Sequence, residues 1–163
     1  MRVFEIQNAL RELASNNNPH PFLNLIKTLI EKDLSLRDAQ KFDEKHLKML
    51  IIPYLTLSAS HYVVSEPEWD AGYPDIVFLK RPNINTRHNF ILELKYIKKA
   101  DTNKIVISPE GTKEKLIQLK QREAKTQLEQ YLKTDHANRL TNLKAWIIIL
   151  VGREWKITQE IPL

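Results

Sequence analysis

The chain has 163 residues, a net charge of +5 and no cysteine. That length suits one domain with a core of its own, and the missing thiols exclude disulfides and thiolate metal sites. No apolar run approaches twenty residues, which excludes a membrane-spanning helix. The opening MRVFEIQNALRELASNN lacks the apolar centre of a signal peptide, so a cytoplasmic protein is expected.

The first third reads as helical. Phe4, Leu10 and Leu13 form a stripe over residues 3–14, and residues 16–21 break it. Phe22, Leu25, Ile26, Leu29 and Ile30 give a second helix ending near residue 34. Ser35 with Asp38 three later resembles the capping box of a short turn. Asp43 is expected to cap a third helix through residue 57, which Pro53 should kink or split. Residues 1–34 then form a helical cap or the remnant of a linker, and residues 35–163 form the main domain.

Strands follow at residues 61–65, 73–79 and 88–97, with a turn over 81–87. Residues 100–110 read as a polar loop and 112–133 as a long helix with a basic outer face. AWIIIL, within residues 143–151, is a central strand buried on both sides, and residues 155–158 close the chain as a short strand. The three glycines, Gly72, Gly111 and Gly152, build no phosphate-binding loop, so an ATPase would have to lie elsewhere.

Chemistry concentrates in residues 66–95, EPEWDAGYPDIVFLKRPNINTRHNFILELK. Pro74-Asp75 opens one apolar run and Glu93-Leu94-Lys95 closes the next. Residues two apart on a strand share a face, so Glu93 and Lys95 point the same way. Charges on such a strand are costly unless they are paired or bind metal. Asp75, Glu93 and the Leu94 carbonyl make a hard oxygen set suited to Mg²⁺ or Mn²⁺, and Lys95 beside it suits phosphodiester hydrolysis. The plain alternative is a turn-capping aspartate and an exposed edge-strand ion pair.

Pro74-Asp75, seventeen residues, then Glu93-Leu94-Lys95 resembles the PD-(D/E)xK motif of restriction-endonuclease-like nucleases. SEPEWDAGYPDIVFL, FILELKYIKKAD, LSLRDAQKFDEKHLKMLIIPYL and EAKTQLEQYL resemble the C-terminal nuclease domain of predicted ATPase-like proteins, many from Bacteroidetes. The resemblance implies an α/β fold of order α-β-β-β-α-β, a mixed sheet flanked by helices, and a metal-dependent nuclease acting on DNA. It implies that Asp75 and Glu93 bind the metal with the Leu94 carbonyl and that Lys95 activates water. Glu66 completes the acidic site, or is an exposed strand-end charge. Gln127 points to that site from the long helix, or is an ordinary helix glutamine. An ATPase domain in the same or a longer chain is the implied partner. A catalytically silent binding module accompanying an ATPase is the alternative function, and a purely structural domain the third.

Other residues carry weaker signals. Glu44 matches a helical position that some related nucleases use for metal, but reads better as a first-turn acid favoured by the helix dipole. The five histidines form no ligand pair, so zinc is not expected. His88 and Arg87 could touch phosphate near the site, but read better as surface-turn residues. Lys113, Lys115, Lys120, Arg122 and Lys125 either solvate the long helix or track a phosphate backbone.

Overall fold

The computed structural model describes residues 2–33, 40–85 and 88–163. The Ser35/Asp38 turn and Arg87 lie outside the described residues. Elements run α1 (Val3–Asn16), α2 (His20–Asp33), α3 (Glu44–Leu55), β1 (His61–Ser65), β2 (Ile76–Lys80), β3 (Asn89–Ile97), β4 (Ile105–Ile107) and β5 (Lys113–Lys115). Then come α4 (Leu116–Tyr131), α5 (Asp135–Asn138), β6 (Leu143–Val151) and β7 (Glu154–Ile161).

The main sheet has the order β1-β2-β3-β6-β7. All neighbours are antiparallel except β3 and β6, which run parallel with Glu93 opposite Ile147 and Lys95 opposite Ile149. The architecture is therefore mixed α/β, as the pattern of the sequence implies. Strand β6 is buried along both faces because its alternate residues serve two cores. Trp146, Ile148 and Leu150 face α1, α2 and α3, while Ala145, Ile147, Ile149 and Val151 face α4. A strand in that position tolerates no polar side, which explains its continuous apolar run.

Helices α1 and α2 share the sheet's core through Leu10, Leu13, Leu23 and Ile26. Asn17 ends α1 in the left-handed region, φ 52, where asparagine is tolerated. Its side chain accepts from Trp146 Nε1 at 2.8 Å and donates to Glu160 at 2.9 Å, tying the helix end to β6 and β7.

Three expectations are corrected. Of the two effects expected of Pro53, a kink or a split, the split does not occur, since α3 runs unbroken through it. Pro53 lies in the last turn, so only the bond to the Met49 carbonyl is lost, and the helix stops at Leu55. Residues 100–110 are not all loop, and α4 starts at Leu116 rather than residue 112, because β4 and β5 pair as a ribbon. Gly111, at φ 84, makes the turn, and the ribbon closes with Ser108 N–H on the Thr112 carbonyl at 2.8 Å. The final strand runs longer than residues 155–158, since β7 pairs with β6 almost throughout, past a register shift at Ile149/Leu150.

Candidate active site

The site arises where β2 stops short of β3. The pairing of these strands ends at Ile76 opposite Leu92, so among the described residues β3 continues without a strand neighbour on that side. A strand's N–H groups on an open edge need other acceptors. Leu94 N–H donates to Asp75 Oδ2 at 2.9 Å, and Tyr96 N–H to Glu44 Oε2 at 3.4 Å. Two carboxylates thus replace the missing strand. The carbonyl of Leu94 leaves the backbone on the same side as its N–H, toward Asp75.

Alternation sets the side chains. Ile91 and Ile97 face α4, so Glu93 and Lys95 between them do too; Asp75 shares that face because Val77, two residues on, packs there. Asp75, Glu93 and Lys95 therefore converge on one face. Glu93 is 2% exposed and Lys95 8%, and their charged atoms lie 3.2 Å apart. Burial, helped by the nearby Asp75 charge, pushes the Glu93 carboxyl up to about 7, although Lys95 opposes this. Burial alone pulls Lys95 down, but Glu93, Glu44 and Asp75 outweigh it and the net shift is upward. Lys95 is therefore an ammonium held by acids, with Glu44 Oε1 at 3.9 Å.

Gln127 of α4 lines a cleft of about 360 Å³ together with Lys95, Glu110 and Arg122; of the three motif side chains, Lys95 alone is part of that lining. The Gln127 Oε1 is buried and has no hydrogen-bond partner among the described residues. The Glu66 carboxylate is linked to the site through Lys48, whose ammonium stands 2.7 Å from Glu66 and 3.5 Å from Asp75. Glu66 has φ 47, uncommon for a non-glycine residue, and its N–H donates to the Asp75 carbonyl at 3.2 Å. The loop from Glu66 to Asp75 is pinned from within by the Trp69–Gly72 bridge. Tyr131 donates its hydroxyl to the Tyr73 carbonyl at 3.1 Å and is pushed up to about 12, by burial first and then by Glu93 and Asp75.

Sequence reasoning undervalued Glu44 and missed Lys48 and Tyr131. Glu44 does sit in the first turn of α3, but it also meets Tyr96, Lys95 and Lys120, the last at 3.7 Å. The available signal was Glu44 and Lys48 at i,i+4 on one helix face. His61, by contrast, is a satisfied core residue: its ring stacks on Phe78 and Nε2 lies 2.7 Å from the His88 carbonyl.

Among the described residues no three or more histidines or acids gather as a metal cage. The donor set that does gather is Asp75, Glu93 and the Leu94 carbonyl, all oxygen. Glu93 Oε2 is buried and has no hydrogen-bond partner among the described residues. A buried carboxylate oxygen without a donor is costly, and a hard cation that keeps several waters is the ligand such a sparse oxygen set fits. A second cleft, about 520 Å³, is lined by Glu44, Tyr96, Asp101 and Leu116.

A family model for the PD-(D/E)XK nuclease superfamily matches residues 42–160, which hold every residue named in this site. No curated protein matches the chain. With the motif residues converging on one open strand edge of a five-stranded mixed sheet, the chain belongs to the PD-(D/E)XK nuclease superfamily and has its restriction-endonuclease-like fold.

Proposed function

We propose that the protein is a divalent-metal-dependent nuclease that hydrolyses phosphodiester bonds of DNA. The observation that carries this reading is the partnerless, buried Glu93 Oε2 beside Asp75 and the Lys95 ammonium. Asp75, Glu93 and the Leu94 carbonyl would hold Mg²⁺ or Mn²⁺. When bound, such a cation supplies Lewis-acid polarisation and makes water a better nucleophile at neutral pH.

The protein's own residues do the rest. Asp75 is oriented by the Leu94 N–H, so its carboxylate is positioned before any ligand arrives. Lys95, fixed between Glu93 and Glu44, holds a positive charge where negative charge develops on the phosphate oxygens and can orient the attacking water. Gln127 brings an amide into the cleft beside Lys95 to position that water or Lys95 itself. Glu66 joins the acidic set only by giving up Lys48. We further infer a cytoplasmic protein working beside an ATPase domain, on the resemblance of the segments flanking the motif; none of the helices among the described residues is long and apolar enough to cross a membrane.

The test is incubation with plasmid, linear duplex and RNA in Mg²⁺, Mn²⁺ or EDTA. DNA cleavage that EDTA and Asp75→Asn both abolish is expected. Nucleic-acid binding without cleavage in either metal would instead assign a silent binding module.

A further inference from the structure

The ribbon of β4 and β5 carries a surface that the cleavage chemistry does not use. Its register sets Ile105 opposite Lys115, Val106 opposite Glu114 and Ile107 opposite Lys113. Directly opposed residues share a face. One face is therefore Ile105, Ile107, Lys113 and Lys115, and all four are exposed, the isoleucines at 57% and 69%. The other face holds Val106 and Glu114, and Arg122 of α4 grips Glu114 and, at 3.0 Å, Glu110. Leu116 N–H on the Lys104 carbonyl at 2.8 Å fixes the ribbon's base. The ribbon is thus anchored by ion pairs and offers two β-branched side chains to solvent.

Its position gives that face a use. The turn at Pro109 and Glu110 borders the cleft of Lys95 and Gln127, and Leu116 at the base borders the cleft of Glu44. Charge is concentrated here as well. Residues 98–125 hold eight basic and four acidic side chains, a net +4 out of the chain's +5. A surface of paired lysines and apolar tips beside a phosphodiester site fits a polyanion whose bases are apolar between their polar edges.

We propose that this ribbon is the element that engages duplex DNA. Lys113 and Lys115, about 7 Å apart along β5, contact phosphates. Ile105 and Ile107 enter between base steps as an apolar wedge, unstacking and bending the duplex next to the cut. The assignment rests on the nuclease reading and specifies its substrate as double-stranded DNA that is deformed on binding.

The experiment uses a short DNA duplex carrying 2-aminopurine, titrated in EDTA so that it is not cut, with cleavage in Mg²⁺ measured in parallel. The wild type should raise 2-aminopurine fluorescence as stacking is lost. Ile105→Ser with Ile107→Ser should keep the wild-type melting temperature, abolish that rise and weaken binding on the order of tenfold. Lys113→Gln with Lys115→Gln should lower the slope of log K against log salt by about 2. A wild type that cuts DNA while all ribbon variants bind and unstack as it does overturns the ribbon assignment alone. Isoleucine variants that alter only self-association give the face to a second copy and also overturn it. A wild type that neither binds nor cuts overturns the nuclease reading and the ribbon with it.

Discussion

Glu93 and Glu110 each face a basic side chain at about the same distance, yet they titrate in opposite directions. Glu93 lies 3.2 Å from Lys95 and is pushed up to about 7; Glu110 lies 3.0 Å from Arg122 and is held down to about 2. The surroundings decide the sign. Glu93 is buried next to Asp75, so desolvation and a like charge outweigh the lysine. Glu110 stands in solvent, where little opposes the hydrogen bond from Arg122. One pair is an exposed clamp that orders a ribbon. The other is a stressed arrangement that has more negative charge than its surroundings can satisfy, which is the condition of a cation site.

The largest effect should come from relieving that stress. Glu93→Gln should abolish metal-dependent cleavage, a loss of 10³-fold or more. In EDTA it should stabilise the protein at alkaline pH. The folded-state pKa of Glu93 is raised from 4.5 to about 7, so its contribution is favourable below 4.5 and is lost as pH rises through 7. The wild-type protein should therefore fall behind Glu93→Gln by about 3 kcal/mol above pH 7 and match it below pH 4.5, as followed by urea denaturation across pH. A difference independent of pH would break the contrast between the two glutamates.

Lys95→Ala should come next. Loss of the charge should cost about 10²–10³ in cleavage rate. Lys95 also opposes the burial of Glu93, so removing it should lower the melting temperature more at pH 8 than at pH 5. Equal losses at both pH values would mean that Lys95 acts through packing alone.

Gln127→Leu should reduce cleavage by about 10–100-fold with unchanged or raised stability, because it removes a buried oxygen that has no partner. Full activity in this variant removes Gln127 from the site. The smallest effect belongs to the exposed pair. Glu110→Gln should leave the melting temperature unchanged at physiological salt, where an exposed ion pair is screened. A drop as large as that of Lys95→Ala would erase the distinction between clamp and site.

How much of this was legible depended on the range of the interactions. Alternation along a strand is local, so the shared face of Glu93 and Lys95, and the two-sided burial of residues 143–151, could be read directly. The same local rule applies to Gln127, which stands three residues after Ala124 and four before Tyr131, both buried on α4. Glu44 was harder. Its first-turn position had a sufficient local explanation, and only the early end of β2 leaves Tyr96 N–H in need of its carboxylate. Lys48 was invisible because its partners, Glu66 and Asp75, come from the far side of a loop. The ribbon was misread because Lys113, Glu114 and Lys115 suit a helix by propensity, while pairing to Ile105, Val106 and Ile107 overrides it.

The open edge of β3 has a colloidal consequence as well. An unpaired strand edge invites the edge of another molecule, and natural sheets guard such places with charge. Here Asp75 and Glu44 occupy the open-edge donors of Leu94 and Tyr96, so the acids assigned to chemistry also act as bumpers against intermolecular β-pairing. Asparagine at position 75 keeps an acceptor for Leu94 N–H, whereas alanine uncovers it. Inactivating this protein by truncating its acids should therefore trade solubility for silence, and amide substitutions should not.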